Sequence, residues 1–270
     1  MYFKMKNGVK IPSIGFGTSL IEGKECVENI KLALEAGYRH IDTASVYRNE
    51  EAIGQALKES KIPREEIFIT SKVWKDSMGY ENTINSFNNS LKKLQLEYID
   101  LFLIHWPRNG DPQLNIDTWR ALEDLYKSKK VRAIGVSNFL KHHLEIILDN
   151  CEIIPMINQL EFHPGLTREE TVNFCKEKNI LVEAWAPLGK GSMLKNEELI
   201  KISNKYKKSV AQLCIRWCLQ NEVIPLPKSS NLNRMIENRN VFDFVISDED
   251  MGFINNMEFF AGSTMDPNES

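Results

Sequence analysis

Apolar, β-branched runs recur along the 270-residue chain, and most are followed by stretches whose apolar positions return at a helical period. Seven runs read as strands: HIDTA at 40–44, IFITSKV at 67–73, IDLFLIHW at 99–106, RAIGVSN at 132–138, PMINQLEFH at 155–163, ILVEAW at 180–185 and VIPLPKS at 223–229. SIGFGT at 13–18 supplies an eighth, weaker strand. IDLFLIHW is apolar almost throughout instead of alternating, as expected of a strand covered on both faces. Helical patterns fall between the strands in KECVENIKLALEAG, ENTINSFNNSLKKLQ, DTWRALEDLYKS and EETVNFCKEKN, with Gly37 placed to terminate the first. The longest gap holds both NEELIKISNKYKK and VAQLCIRWCLQN, so that unit carries an extra helix.

Eight strand–helix units in a chain of this length predict an α/β fold, a closed (β/α)8 TIM barrel in preference to an open doubly wound sheet. The opening YFKMKNGVKIPSIG predicts an N-terminal β-hairpin turning at Asn7-Gly8 and covering the barrel floor. No Gly/Ser-rich linker interrupts the pattern, so residues 1–270 are expected to form a single barrel domain.

In such a barrel the C-terminal ends of the strands face the active site. Asp42, Lys72, His105, Asn138 and His163 are polar, and each falls near the end of an apolar run; Tyr47 follows Asp42 closely. A free phenol, with a pKa of about 10, is a poor acid at neutral pH. A neighbouring ammonium stabilises its phenolate and lowers that pKa, while a carboxylate keeps the ammonium charged and in place. A neutral imidazole can hydrogen-bond the same carbonyl oxygen that the phenol protonates. An ion pair, a packed Tyr and a capped His would explain the same spacing.

GYRHIDTASVYRNEEAIGQAL resembles the first signature of the aldo-keto reductase family, FITSKVW its lysine segment, and YIDLFLIHWP its histidine segment. The resemblance covers nearly the full length. It implies catalytic roles for Asp42, Tyr47, Lys72 and His105, and NADPH-dependent reduction of aldehydes or ketones to alcohols with Tyr47 as general acid. It also implies that Ser137, Asn138 and Gln159 hold the nicotinamide carboxamide. Trp185, from EAWAPLG, would stack on the nicotinamide ring, and Ala186, Pro187 and Leu188 follow it among the cofactor contacts. Asp42, Gly17 and Thr18 are further expected contacts, the glycine because it permits close backbone approach.

LPKSSNLNRMIENRNVFDF resembles the family's adenine-nucleotide segment. There Lys228, Ser229 and Arg234 offer an ammonium, a hydroxyl and a forked guanidinium to a phosphate monoester, with Ser230 beside them. A helix starting near Asn231 puts Arg234, Glu237 and Asn238 on one face. That grouping favours NADPH over NADH. Trp74 and Trp106 follow the lysine and histidine strands and are expected to line, with Tyr47 and His105, a pocket for apolar or aromatic carbonyl substrates. Two departures stand out. Ser19 and Leu20 occupy places where many relatives carry an aromatic residue, and the EFFAGSTMDPNES tail is short, which predicts an open pocket.

Composition narrows the alternatives. A net charge of −3 provides no basic field for nucleic acid. No apolar run approaches the roughly 18 residues of a membrane span, and MYFKMKNGVKIP lacks a signal-peptide core. The five cysteines, Cys26, Cys151, Cys175, Cys214 and Cys218, have no CxxC spacing and are expected to be thiols in a reducing cytoplasm. No HExxH spacing occurs, so no metal is expected, and without GxGxxG after a strand a Rossmann dinucleotide site is not supported. His142–His143 is expected to open a helix in solvent. The picture is of a soluble cytoplasmic monomer acting on small molecules. Two other readings remain: a cofactor-holding regulatory barrel without turnover, and a Schiff-base enzyme using Lys72, which pairing with Asp42 would make a poor nucleophile.

Overall fold

The structure, a computed structural model, describes residues 1–263 and 265–269. A hairpin of β1 (Tyr2–Lys4) and β2 (Lys10–Pro12) pairs antiparallel, with Phe3 opposite Ile11. Its turn closes through Met5 N–H to Val9 O at 2.9 Å, with Gly8 at φ +87° where a side chain would be strained. The turn falls at Asn7-Gly8 as expected.

Eight strands follow: β3 (Phe16–Gly17), β4 (His40–Asp42), β5 (Phe68–Val73), β6 (Ile99–Ile104), β7 (Val131–Ser137), β8 (Ile157–Glu161), β9 (Leu181–Trp185) and β10 (Val223–Leu226). They run parallel, each pairing with the next in sequence. Gly15 N–H donates to Pro225 O at 3.0 Å and Gly17 N–H to Pro227 O at 3.1 Å, which joins β3 to the β10 segment and completes the ring. A Cβ on Gly15 would run into Leu226 and the His40 ring, so this seam needs glycine. The hairpin docks at the N-terminal end of the strands, where Asn7 Nδ2 donates to Arg132 O at 2.9 Å, near the start of β7.

The helices are α1 (Gly23–Glu35), α2 (Glu50–Ser60), α3 (Tyr80–Leu94), α4 (Pro112–Lys127), α5 (Lys141–Leu148), α6 (Glu169–Glu177), α7 (Glu197–Lys205), α8 (Val210–Gln220), α9 (Leu232–Arg239) and α10 (Asp248–Asn255). Helices α7 and α8 both lie between β9 and β10, the extra helix read from the sequence. Helix α4 starts earlier than its apolar period indicates, because Asp111 caps Leu114 N–H at 3.0 Å and Pro112 occupies the first turn. Helix α8 opens with a reciprocal Ser209/Gln212 capping box. Among the described residues, no helix is long and apolar enough to cross a membrane.

One expectation needs correction. His143 is buried, not solvated: its Nδ1 accepts from Leu140 N–H at 3.1 Å and its Nε2 lies 2.7 Å from Asn109 Oδ1. Burial, and then the neighbouring His142, hold its pKa down at about 4. Described residues of the tail touch the barrel at two places: Ser263 N–H donates to Glu161 Oε1 at the end of β8 at 2.6 Å, and Asn109 Nδ2, in the loop after β6, donates to Pro267 O at 2.5 Å.

Candidate active site

Three strand ends and one short turn assemble the site. Asp42 closes β4 and Lys72 is the penultimate residue of β5, a strand buried at every position. Both side chains lie inside the barrel: Lys72 is 0% exposed and Asp42 4%. Lys72 Nζ donates to both carboxylate oxygens of Asp42, at 2.7 and 2.8 Å, and to Thr43 O at 2.9 Å. Burial, the largest single influence, pulls the Lys72 pKa down, but the charge and hydrogen bond of Asp42, with Tyr47 and Glu183, together hold it above its ordinary value.

Tyr47 ends a single 3-10 turn, Ser45–Tyr47, just after β4. That turn is tied down by Ser45 Oγ donating to Lys72 O at 3.0 Å. Asn49 then braces the following loop, accepting from Thr43 Oγ1 at 2.6 Å and donating to Thr18 O at 2.9 Å. The Tyr47 hydroxyl comes within 3.4 Å of His105 Nε2, and Lys72 Nζ lies 5.3 Å from the phenol ring centroid. The net effect on the phenol runs opposite to the lowering expected from sequence. Burial raises the Tyr47 pKa above its ordinary value, and the Lys72 charge offsets only part of that, with Asp42 working against it. A Ser19 hydrogen bond also favours the phenolate.

His105 follows β6, its backbone N–H bonded to Val73 O at 3.1 Å and its carbonyl accepting from Asn138 Nδ2 at 2.9 Å. The ring is packed edge-on between Tyr47 (5.5 Å) and Trp74 (5.0 Å). Burial, then the charges of Lys72 and Lys75, push its pKa well below the ordinary histidine value, so the imidazole is neutral at physiological pH. The structure therefore brings all four tetrad residues to one place.

The residues expected around a nicotinamide also converge. Asn138 takes a left-handed backbone conformation (φ +63°) just after β7, receives Trp185 Nε1–H at 2.8 Å and donates to Ser137 Oγ at 3.0 Å. Ser137 Oγ in turn donates to Gln159 O at 2.9 Å. Gln159 Nε2 crosses the barrel to Asp42 Oδ2 at 2.9 Å, linking this group to the tetrad. Trp185 is half-buried at the end of β9, and Ala186 (φ +50°), Pro187 and Leu188 turn the chain away. Lys228 and Arg234 are exposed beside α9, whose N-cap Asn231 accepts from Arg234 N–H at 3.1 Å. Ser229 is half-buried and Ser230 exposed in the same loop, while Glu237 is half-buried and Asn238 buried on the helix. Gly17 and Thr18 sit at the β3 seam. Thr18 is fully buried and donates through Oγ1 to Asp42 O at 2.9 Å. Trp74 is half-buried, whereas Trp106 is buried with Lys75 Nζ over its ring at 5.6 Å.

Sequence reading passed over two buried groups beneath the tetrad. Glu183, from the middle of β9, accepts from Gln159 Nε2 at 2.9 Å and lies 3.7 Å from His40 Nε2. Burial first, and then the nearby Asp42 charge, push its carboxyl up to about 8. His40 is held neutral, its pKa brought down to about 3 by burial and then by Lys72. The signal was present, since a carboxylate inside an otherwise apolar ILVEAW run requires a buried partner.

A parallel eight-stranded barrel thus gathers a buried carboxylate–ammonium pair, a phenol and a neutral imidazole at its strand ends. Residues 13–258 match the profile of the Aldo/keto reductase family, and the chain belongs to that family. It is 53% identical over 249 residues to the glyoxal reductase of Bacillus subtilis (strain 168), covering 92% of this chain and 89% of that protein. Among solved structures it resembles MGS-M4, an aldo-keto reductase from a Medee basin deep-sea metagenome library, with a TM-score of 0.95 and 43% identity across 100% of this chain and 99% of the other. It also resembles a Gox0644 mutant crystallised with NADPH, with a TM-score of 0.94 and 39% identity over 100% and 98% of the two chains.

Proposed function

We propose that this chain reduces aldehydes or ketones to alcohols with NADPH, and that Tyr47 delivers the proton. The observation that carries the reading is the approach of the Tyr47 hydroxyl to His105 Nε2 at 3.4 Å beside the buried Lys72–Asp42 pair. Both groups stay neutral near pH 7. A phenol with a raised pKa keeps its proton until a stronger base forms, and an alkoxide is such a base. A neutral imidazole with its proton on Nε2 can donate to the carbonyl oxygen and fix its direction. The Lys72 charge beside the phenol then stabilises the phenolate left behind, and Asp42 keeps that charge in place.

The residues present fit the cofactor. Lys228 and Arg234 are exposed and make no ion pair among the described residues, which leaves them available to a 2′-phosphate. Ser229, Ser230, Glu237 and Asn238 would complete the adenosine end, with Gly17 and Thr18 along the seam. Ser137, Asn138 and Gln159 would hold the carboxamide, and Trp185, its indole fixed by Asn138, offers a ring face followed by Ala186, Pro187 and Leu188. When bound, NADPH supplies a hydride to the carbonyl carbon. Trp74 and Trp106 would flank the substrate. The crystallised NADPH complex of a relative supports this choice of cofactor.

The test follows loss of reduced nicotinamide with an aromatic aldehyde, in wild type and in Tyr47→Phe. Turnover in the variant should fall by about 100-fold or more, the usual scale of general acid catalysis. NADPH binding, read by fluorescence, should stay within about threefold, since only one hydroxyl is lost. A Tyr47→Phe variant with undiminished turnover would reject the phenol as proton donor.

A further inference from the structure

The rim of the same mouth carries two cations with no direct part in the reduction, although the Lys75 charge helps keep His105 neutral. Lys75 opens the turn after Trp74, and its Nζ lies 5.7 Å from the Trp74 ring centroid and 5.6 Å from that of Trp106. Trp74 meets the His105 ring at 5.0 Å, so one indole separates this ammonium from the imidazole. Arg108 stands two residues after Trp106. Its backbone is clamped on both sides by Asn115, which accepts from Arg108 N–H at 2.8 Å and donates to Arg108 O at 3.0 Å. The two charges feel each other: burial, then Arg108, lower the Lys75 pKa, while Asp76 raises it. Among the described residues neither Lys75 nor Arg108 makes an ion pair, even though Asp76 is adjacent in sequence.

Lys75 Nζ lies over the Trp106 ring and Arg108 follows that Trp by two residues, so both charges stand on one stretch of the rim, where an oxyanion accepted by both would relieve their repulsion. A forked guanidinium and an ammonium together suit a carboxylate or a phosphate ester. The indoles beneath Lys75 offer an apolar wall for the atoms joining such a group to a carbonyl.

We infer that Lys75 and Arg108 form an oxyanion subsite, so that the preferred carbonyl substrates carry a carboxylate or phosphate group at their far end. The inference rests on the reductase reading for its carbonyl half and on the cation pair for its anionic half.

Matched substrate pairs test it: 4-carboxybenzaldehyde against benzaldehyde, and D-glyceraldehyde 3-phosphate against D-glyceraldehyde. The variant is Lys75→Met with Arg108→Met, which keeps an apolar stem at each position while removing both charges. The ratio of kcat/KM, charged over neutral, should fall at least about tenfold in the variant, as expected for loss of two charge-assisted contacts. Raised salt should weaken the charged substrate alone in wild type. A fall in either pair supports the subsite and names its oxyanion, whereas unchanged ratios in both pairs overturn it. Binding of unreactive benzoate, followed by tryptophan fluorescence, provides a readout free of turnover. If wild type reduces no aldehyde at all, the reductase reading fails on its own. The benzoate titration then still decides: weaker binding in the variant supports the subsite, and equal binding overturns it.

Discussion

Lys72 directs its ammonium at both oxygens of Asp42 and at Thr43 O, while Tyr47 sits across from it with its hydroxyl 3.4 Å from His105 Nε2. The lysine thus spends its donors on the acid and acts on the phenol chiefly through its field. Asp42 is therefore what keeps a charge at this depth. Replacing it by Asn leaves burial as the dominant influence on Lys72, which should then lose its proton near neutrality. Breaking a buried pair of this kind costs about 3–5 kcal/mol. Asp42→Asn should show a thermal midpoint lower by several degrees and little turnover. A variant as stable as wild type would show that the pair contributes nothing.

His105 is neutral because burial and two lysine charges oppose its protonation. The pH profile of kcat/KM for carbonyl reduction should accordingly show no limb at the ordinary histidine pKa of about 6.5. Initial rates from slightly acid to neutral pH check this. A limb there that disappears in His105→Gln would mean that His105 titrates at its ordinary pKa in the working enzyme, against the lowering described above.

The nucleotide end gives a separable prediction. Lys228→Ala with Arg234→Ala should weaken NADPH by roughly 100-fold or more, since two charge-assisted contacts of about 1.5–3 kcal/mol each are lost. NADH, which lacks the 2′-phosphate, should change little. Equal weakening of the two cofactors in fluorescence titrations would remove the phosphate assignment.

Beneath the tetrad, Glu183 and His40 titrate in opposite senses. The Glu183 carboxyl is raised to about 8 from an ordinary 4.5, so the folded chain binds more protons than the unfolded one between those values. Stability from this group is complete below about pH 4.5 and is lost as pH rises through 8. His40 is lowered to about 3 from 6.5, so here the unfolded chain binds more protons, and stability is lost as pH falls through that window. Glu183→Gln mimics the protonated acid. Its thermal midpoint relative to wild type should rise as the pH is raised from 5.5 to 8.5, with each unit of the shift corresponding to about 1.4 kcal/mol at most. A gap that stays constant with pH would mean that Glu183 is ionised in the folded chain.

The barrel, its hairpin and the extra helix were legible because strands covered on both faces leave uninterrupted apolar runs, and Asn7-Gly8 is an unambiguous turn. Asp42, Lys72 and His105 were legible as polar strand ends, but only the resemblance to the aldo-keto reductase signatures joined Tyr47 to them as a set. What could not be read was how burial and charge compete. Sequence shows a lysine near a tyrosine, but only packing decides that desolvation of Tyr47 outweighs the ammonium. His143 was misplaced for a related reason: a polar pair at a helix start looks solvated until Asn109 and the Leu140 amide are found around it. The start of α4 was missed because the period of apolar residues begins after the Asp111 cap.

The ring of strands is a clasp whose catch is small. Strand β3 is only Phe16–Gly17, and the N–H groups of Gly15 and Gly17 hold it to the β10 segment by two hydrogen bonds, against six residues in each of β5 and β6. Thr18, next in the chain, hands its amide and hydroxyl to the carbonyl of Asp42. Unfastening should therefore begin there, with the Gly15 and Gly17 amides taking up deuterium ahead of those in β5 and β6, and the first peptide to feel the slack would be the one carrying the acid that keeps Lys72 charged.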